Sequence, residues 1–230
     1  MSDMEMYRRE LKYEISYADY LAIRQRLRTV MKPDEHALED GRYVVRSVYF
    51  DNIEDKALRE KISGVAKREK FRIRYYNDDL SFISLEKKLK YNNLCMKKDA
   101  GLTEAECRAL FGRDTGWMMA HPSGLVRELY CKMNSQQLRP RVLVSYVREP
   151  YVYAAGNVRV TFDSQIRSTL FHRSFLEESV ADIRVEDDPG SVIMEVKFDA
   201  FLPDIIQSLL QTEEIRQRAY SKYGACRRFG

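Results

Sequence analysis

Charged and apolar residues alternate with a period of two along six separate stretches of this chain. In residues 70–75 (KFRIRY), three basic residues share one strand face and three apolar residues share the other. The other five stretches are residues 10–15, 82–90, 144–148, 158–163 and 192–198. Because successive side chains of a strand point to opposite faces, each stretch predicts a β-strand with a charged face and an apolar face.

The charged faces of these predicted strands carry nine basic residues and five acidic residues. The basic residues are Lys12, Lys70, Arg72, Arg74, Lys88, Lys90, Arg148, Arg159 and Lys197. The acidic residues are Glu10, Glu14, Glu86, Asp163 and Glu195. One surface strand with such a face is ordinary, whereas six of them predict faces that converge on a common polyanionic ligand.

Helices are predicted between the strands. Helical spacing or helix-boundary residues predict helices at residues 17–30, 52–63, 123–136 and 203–219. In addition, Thr103 with Glu106 forms a capping-box pattern before a short helix that ends at about Phe111. Strands are predicted at residues 8–15, 42–50, 67–77, 81–90, 140–149, 151–154, 157–163 and 191–198. We predict an α+β fold in one domain, residues 1–230: a closed antiparallel β-barrel of about eight strands forms a basic tunnel, and helices pack outside.

Composition narrows the possibilities for this 230-residue chain. The net charge of +4 is modest, so affinity for anions must come from clustered cations. The four cysteines lie far apart without a CxxC pair, which favours free thiols over a zinc site. The chain shows no secretory signal and no apolar run of membrane-spanning length, so a cytoplasmic location is expected. No nucleic-acid-binding signature is present, and nucleic acid is not an expected partner.

Eight motifs occur in order along nearly the whole chain. They are LKY (11–13), SVYFD (47–51), RIRYY (72–76), LEKK (85–88), SYVREPY (145–151), VRVTFD (158–163), MEVKF (194–198) and YSKY (220–223). Together they resemble the polyphosphate polymerase domain of the vacuolar transporter chaperone (VTC) complex, which belongs to the triphosphate tunnel metalloenzymes. The resemblance implies transfer of the ATP γ-phosphate to inorganic polyphosphate inside a basic tunnel, with triphosphate and pyrophosphate as related ligands.

The resemblance also implies a set of site residues. The catalytic, phosphate-binding cations would be Lys12, Arg72, Arg74, Lys88, Arg148, Arg159 and Lys222. Further substrate-binding cations are expected at Arg46, Lys70, Lys90 and Lys197, and at Lys97 or Lys98, between which the sequence does not decide. Glu195 matches the glutamate that holds a divalent metal, Mn²⁺ or Mg²⁺. These residue types suit phosphoryl transfer, which depends on positioned cations and a metal more than on a covalent nucleophile.

Two alternatives stay open, a tunnel hydrolase of triphosphate or polyphosphate and a polyphosphate-binding module without turnover. Residues 10–14 read Glu-x-Lys-x-Glu, whereas the triphosphatase branch has Glu-x-Glu-x-Lys, so the roles of Glu10 and Glu14 are undecided. Glu195 argues against a simple anion binder, which has little use for a carboxylate among so many cations. The eukaryotic relatives also carry a phosphate-sensing helical domain and membrane helices, neither of which is expected in this chain. Coupling of synthesis to transport across a membrane is therefore not carried over by the resemblance, and a membrane-protein partner could supply it.

Overall fold

The computed structural model describes residues 8–92, 94–169, 175–177, 181–185, 190–212 and 220–227. Its strands are β1 (Arg8–Ile15), β2 (Lys32–Pro33), β3 (Tyr43–Asp51), β4 (Lys67–Tyr76), β5 (Asp79–Tyr91), β6 (Leu94–Leu102), β7 (Arg139–Tyr153), β8 (Val158–Thr169), β9 (Ile183–Arg184) and β10 (Val192–Phe198). Eight of them close a ring in the order β7-β3-β4-β5-β6-β1-β10-β8, because β8 also pairs with β7. Every pairing in this ring is antiparallel. The closed ring of antiparallel strands confirms the predicted arrangement.

The helices connect or follow the strands. They are α1 (Tyr17–Leu27), α2 (Lys56–Ile62), α3 (Glu104–Phe111), α4 (Gly124–Ser135), α5 (Asp204–Leu210) and α6 (Lys222–Cys226). The predicted capping box is present, since Thr103 and Glu106 exchange hydrogen bonds at the start of α3. Residues 213–219 of the helix predicted at 203–219 lie outside the described residues. Within the described part of the chain, no helix has the length and apolar character needed to span a bilayer.

Two apolar clusters lie between the barrel wall and the helices outside it. In the first cluster, Phe71, Ile73 and Tyr75 of β4 pack with residues of α3 and α4. In the second, residues of β8 and β10 pack beneath α1 and α5. These apolar faces are the ones that the alternating pattern predicts, and their burial is the main stabilising contribution of the helical layer. The prediction of helices packed outside the barrel is confirmed.

A third apolar cluster lies on the inner side of the wall. Val142 and Val144 share a strand face with Tyr146, which lines the central cavity, and they pack with Tyr223 and Cys226 of α6. The sequence predicts that the charged faces of the strands turn inward, and in this region the inner face is apolar instead. Because α6 buries its own apolar side chains there, the inner surface changes from charged to apolar.

The strands differ from the prediction in two places. The strand β6 was not predicted, because its sequence LCMKKDAGL does not alternate; it forms by pairing with β5 along its whole length. The strands predicted at 140–149 and 151–154 are one continuous strand, β7. Pro150 is tolerated there because the pairing of β7 with β3 reaches only Arg148, so its missing N–H removes no bond to that neighbour.

Candidate functional site

The charged faces of the strands meet in a cavity of about 920 Å³ inside the barrel. Twelve basic and two acidic residues of the described chain line it. The basic residues are Arg9, Lys12, Lys61, Arg68, Lys70, Arg72, Arg74, Lys88, Lys90, Arg148, Lys197 and Lys222. The acidic residues are Glu10 and Glu195, and four tyrosines also contribute: Tyr49, Tyr146, Tyr220 and Tyr223. Such a cavity concentrates positive potential within low-dielectric walls, which favours a polyanion.

Most of the predicted site residues are in this lining. They are Lys12, Lys70, Arg72, Arg74, Lys88, Lys90, Arg148, Lys197 and Lys222, together with the predicted metal ligand Glu195. The cations come from five strands and from α6, far apart in sequence, and the closure of the ring is what brings them together.

Four predicted cations are absent from the described lining: Arg46, Lys97, Lys98 and Arg159. Arg46 lies on the opposite face of β3 from Tyr49, and its guanidinium donates to the Tyr75 hydroxyl (2.9 Å). The guanidinium of Arg159 donates to the Tyr43 hydroxyl (2.8 Å) and lies 3.0 Å from a carboxylate oxygen of Asp34. These positions give no support to Arg46 and Arg159 as substrate ligands. For Arg46 the physical reason is the strand alternation itself.

The strand register decides between the two lysines left open by the sequence. Lys97 lies directly opposite Lys88, which lines the cavity, whereas Lys98 lies opposite Lys87. The ammonium group of Lys97 is 3.3 Å from a carboxylate oxygen of Glu86. Lys97 therefore lies on the inner face of β6, at the edge of the cavity, and Lys98 lies on the outer face.

The buried carboxylate of Glu86 organises two arginines of the lining. It accepts a hydrogen bond from Arg72 Nε (2.6 Å) and lies 3.8 Å from Arg74 Nη1. Burial acts to raise the pKa of Glu86, but Arg72 and then Arg74 outweigh it and hold that pKa far below its usual range. Two phenols complete the arrangement, since Tyr49 accepts from Arg72 (3.0 Å) and Tyr146 accepts from Arg74 (3.1 Å). Both guanidinium groups are thus fixed before any ligand arrives.

A second buried carboxylate, Asp163, joins β8 to β7 and α6. Arg148 donates to both of its oxygens (2.6 and 2.7 Å), and the Lys222 ammonium donates to one of them (2.5 Å). Burial acts to raise the pKa of Asp163, but Arg148 and Lys222 together lower it to about 2. Asp163 therefore holds two cations of the lining in place, one of them from the C-terminal helix.

The two acidic lining residues lie on neighbouring strands with lysines between them. In the register of β1 and β10, Lys12 is opposite Glu195 and Glu10 is opposite Lys197. The Lys12 ammonium is 3.0 Å from Glu10 and 3.7 Å from Glu195, and the Lys197 ammonium is 2.8 Å from Glu195. Burial acts to lower the pKa of Lys12, but the charges of Glu195 and Glu10 outweigh burial and raise that pKa. Burial acts to raise the pKa of Glu195, but Lys12 and Lys197 hold it well below its usual range.

These carboxylates fit a divalent metal that binds together with phosphate. Among the described residues, no three His, Cys, Asp or Glu side chains come close enough to hold an ion by themselves. Mg²⁺ and similar hard cations are, however, commonly held by one or two carboxylates plus substrate phosphates and water. Glu195 and Glu10 supply that oxygen donor set in the cavity. Glu14 plays a different part, because its carboxylate accepts a hydrogen bond from the Ser191 hydroxyl (3.1 Å).

Lys70 differs from the paired cations. Within the described residues no carboxylate lies at ion-pair distance, and its ammonium stands 5.1 Å from the centre of the Tyr223 ring. Burial, followed by repulsion from Lys12 and Arg68, lowers the pKa of Lys70 to about 7. This ammonium group therefore lacks the counter-ion that a bound phosphate would supply.

Several lining residues were not predicted from the sequence. Arg68 continues the period of two from Lys70 by one step, so a signal for it was present in the same strand. Lys61 comes from α2, and no strand pattern points to it. Arg9 lies opposite Phe198 and Leu94 in the strand register, at the start of β1. Tyr49 lies in the SVYFD motif, which gives it no role by itself, and only the three-dimensional structure shows it as the partner of Arg72.

Comparisons with known proteins agree with this geometry. An adenylyl cyclase-like protein from Hippeastrum, described as having a dominant triphosphatase activity, aligns with a TM-score of 0.56 and 12% identity over 97% of this chain and 96% of that chain. An adenylate cyclase-like protein from Bacillus halodurans aligns with a TM-score of 0.51 and 16% identity over 90% of this chain and 87% of that chain. At these identities the two structures show the fold alone.

The sequence comparison is more specific. A search of the curated proteins returned no significant match. The sequence model of the VTC domain, in contrast, matches residues 7–229. That range includes all the described residues that line the cavity, from Arg9 on β1 to Tyr223 on α6. Because the match extends over nearly the whole chain, this protein belongs to the VTC domain family.

Proposed function

We propose that this protein transfers the γ-phosphate of ATP to the end of an inorganic polyphosphate chain inside the central cavity. The observation that carries the proposal is the lining itself, in which the described residues contribute twelve cations and two carboxylates enclosed by a barrel of the VTC domain family. Both substrates are polyanions, and in-line transfer between them requires that their mutual repulsion be offset by fixed positive charges.

The side chains suit the separate requirements of this reaction. Arg72 and Arg74, already oriented by Glu86, present planar donor groups that match phosphate oxygens. The terminal phosphate of the acceptor chain is itself an anion, so the attacking oxygen needs positioning more than deprotonation. Glu195 and Glu10 would hold Mn²⁺ or Mg²⁺, which would neutralise charge on the transferred phosphoryl group.

Triphosphate hydrolysis is the second candidate function. It is favoured by the fold shared with the Hippeastrum protein, for which a dominant triphosphatase activity is described. The same cations and the same carboxylates would serve this reaction, with water in place of the acceptor phosphate. The two candidates therefore differ in the acceptor and not in the lining.

The first prediction separates these functions. Purified protein incubated with ATP, short-chain polyphosphate and Mn²⁺ should lengthen the polymer, as read on a gel, while released orthophosphate is quantified in the same samples. Glu195→Gln should remove most of the activity, because an amide is a poorer metal ligand than a carboxylate. Glu14→Gln, on the same face of β1 as Glu10 but bonded to Ser191, is the matched control and should stay active.

The outcomes of this experiment are distinct. Polymer growth that is lost in Glu195→Gln and retained in Glu14→Gln supports the polymerase. Orthophosphate without polymer growth, at any acceptor concentration, overturns the polymerase in favour of the hydrolase. Neither product from a folded protein that still binds polyphosphate would point to the binding module.

A further inference from the structure

The hydroxyl of Thr161 is a buried polar group that has no hydrogen-bond partner within the described part of the chain. Thr161 lies on β8 and is 3% exposed, and its Oγ1 makes no hydrogen bond to any described residue. An unpaired buried hydroxyl is unfavourable by a free energy comparable to a lost hydrogen bond, so such groups are rare in native proteins and call for an explanation.

The location of Thr161 suggests one. In the register of β8 and β10, Thr161 lies directly opposite Glu195. Both side chains are on the inner face of the wall, because their neighbours Val160, Phe162 and Val196 belong to the outer apolar cluster. Side chains directly opposite on neighbouring antiparallel strands have Cβ atoms about 4.5–5.5 Å apart, within reach of a hydrogen bond.

Among the described residues, the partners of the Glu195 carboxylate are two ammonium groups. Its two carboxylate oxygens face the ammonium groups of Lys197 (2.8 Å) and Lys12 (3.7 Å). A divalent cation on this carboxylate repels both ammonium groups, and incoming phosphates compete for them. The carboxylate oxygen that does not bind the metal then needs a neutral donor, and the hydroxyl of Thr161 is the neighbouring group that can provide one.

We propose that Thr161 is a positioning residue whose hydroxyl donates a hydrogen bond to Glu195 when that carboxylate binds the divalent metal. The inference rests on the metal-dependent reaction of the proposed function, and it assigns Thr161 no contact with substrate. Carboxylates that bind metals are themselves usually hydrogen-bonded, and loss of such a partner lowers metal affinity by about 10–100-fold.

The test compares Thr161→Val, which replaces the hydroxyl by a methyl group of similar shape, with Thr161→Ser, which keeps it. Mn²⁺ affinity is measured by electron paramagnetic resonance of free Mn²⁺, in the presence of an ATP analogue with a methylene group between the β and γ phosphates. We expect Thr161→Val to weaken Mn²⁺ binding by about 10–100-fold and Thr161→Ser to stay close to wild type. Because the substitution removes an unpaired hydroxyl, the melting temperature of ligand-free Thr161→Val should be unchanged or higher.

Two further variants make the result decisive. Thr169→Val, on the same strand but away from Glu195, should leave Mn²⁺ affinity unchanged. Glu195→Gln reports on the metal assignment: if it leaves Mn²⁺ affinity unchanged, the metal site of the proposed function is wrong. If Glu195→Gln weakens Mn²⁺ binding and Thr161→Val does not, only the role of Thr161 is overturned. A lower melting temperature of Thr161→Val with normal Mn²⁺ affinity would show a purely structural hydroxyl and would also overturn it.

Discussion

Carboxylate partners determine what each cation of the cavity can do. Arg148 donates to both oxygens of the fully buried Asp163, and Arg72 is fixed between Glu86 and the Tyr49 hydroxyl. Groups held in this way keep their charge and orientation, so they can bind phosphate without rearrangement. Lys70 has no such partner among the described residues, and its charge depends on pH in a range accessible to experiment.

The second prediction concerns this lysine. In the ligand-free protein the pKa of Lys70 is about 7, below its ordinary value of 10.5. The main cause is burial of the ammonium group, and the second is repulsion by the charges of Lys12 and Arg68. Bound triphosphate stabilises the ammonium form and raises this pKa, so binding takes up a proton. Triphosphate affinity in metal-free buffer should therefore fall as the pH rises from 7 to 9, by about tenfold for each pKa unit that binding adds.

Replacement by arginine isolates this effect, since a guanidinium stays charged throughout the range. Calorimetry at several pH values should show a flatter profile for Lys70→Arg than for wild type, and titration of the ligand itself is the same in both. Lys98→Arg, on the outer face of β6, is the control exchange. A pH profile of Lys70→Arg that is parallel to wild type would exclude Lys70 as the titrating group.

The free energy of unfolding of the ligand-free protein depends on pH with the opposite sign. Between about pH 7 and 10.5 the folded form binds fewer protons at Lys70 than the unfolded form, so this group makes the protein more stable as the pH rises across that window.

The sequence predicts the inner and outer faces of single strands well and the partners of single side chains poorly. In β4 the period of two identifies Lys70, Arg72 and Arg74 as one face, and all three line the cavity. The same rule places Arg46 and Tyr49 on opposite faces of β3. The pairing of Glu86 with Arg72 follows from the register of β4 and β5, in which the two residues are directly opposite. Register depends on the hairpin and on the whole sheet, which local periodicity does not encode.

At the scale of elements, Asp51 connects two helices that both contribute to the cavity. Its carboxylate accepts hydrogen bonds from the backbone N–H groups of Ala57 (2.9 Å) and Leu58 (3.3 Å) in the first turn of α2, and from the Tyr223 hydroxyl of α6 (2.5 Å). One side chain thus positions the helix that carries Lys61 and the helix that carries Lys222. The SVYFD motif contains Asp51 and the YSKY motif contains Tyr223, and both motifs are recognisable in the sequence. Only the folded chain shows that these two residues are in contact.

The third prediction tests this connection. Tyr223→Phe removes the hydrogen bond to Asp51 and keeps the ring in its apolar cluster, so the free energy of unfolding should fall by about 1.5–3 kcal/mol, the usual contribution of a hydrogen bond to a charged group. Urea denaturation followed by fluorescence gives the measurement. Tyr91→Phe, at an exposed tyrosine of β5, is the matched control and should be neutral. Equal stability of the two variants would show that the hydrogen bond from Tyr223 to Asp51 does not stabilise the position of α6.

At the scale of the whole molecule, the charge is distributed unevenly. The net charge is only +4, yet the described part of the cavity lining contains twelve cations and two carboxylates. Buried acids behind the lining, Glu86 and Asp163, offset part of this charge. Among the described residues, five lining cations have no carboxylate at ion-pair distance: Arg9, Lys61, Arg68, Lys70 and Lys90. The ligand-free barrel therefore contains uncompensated repulsion that a polyanion relieves on binding.

The last prediction compares two neighbouring lysines of β5 that differ in this respect. Lys88 pairs with Glu10, whereas Lys90 lies opposite Cys95 and has no carboxylate partner within the described chain. Both Lys88→Gln and Lys90→Gln should weaken polyphosphate binding, and less so at high salt, because each removes one screened attraction. Their melting temperatures should move in opposite directions. Lys88→Gln should melt lower because it leaves the half-buried Glu10 with less compensation, and Lys90→Gln should melt higher because it reduces repulsion.

Scanning calorimetry without ligand measures this difference, and each kcal/mol corresponds to about 2–4 °C for a protein of this size. Added polyphosphate should then narrow the gap between wild type and Lys90→Gln, since a bound anion relieves in wild type the repulsion that the substitution removes. If both variants lose stability equally in the absence of ligand, the lining is not under net repulsion. The cations would then be compensated by solvent and salt, and the barrel would need no polyanion to reach its most stable state.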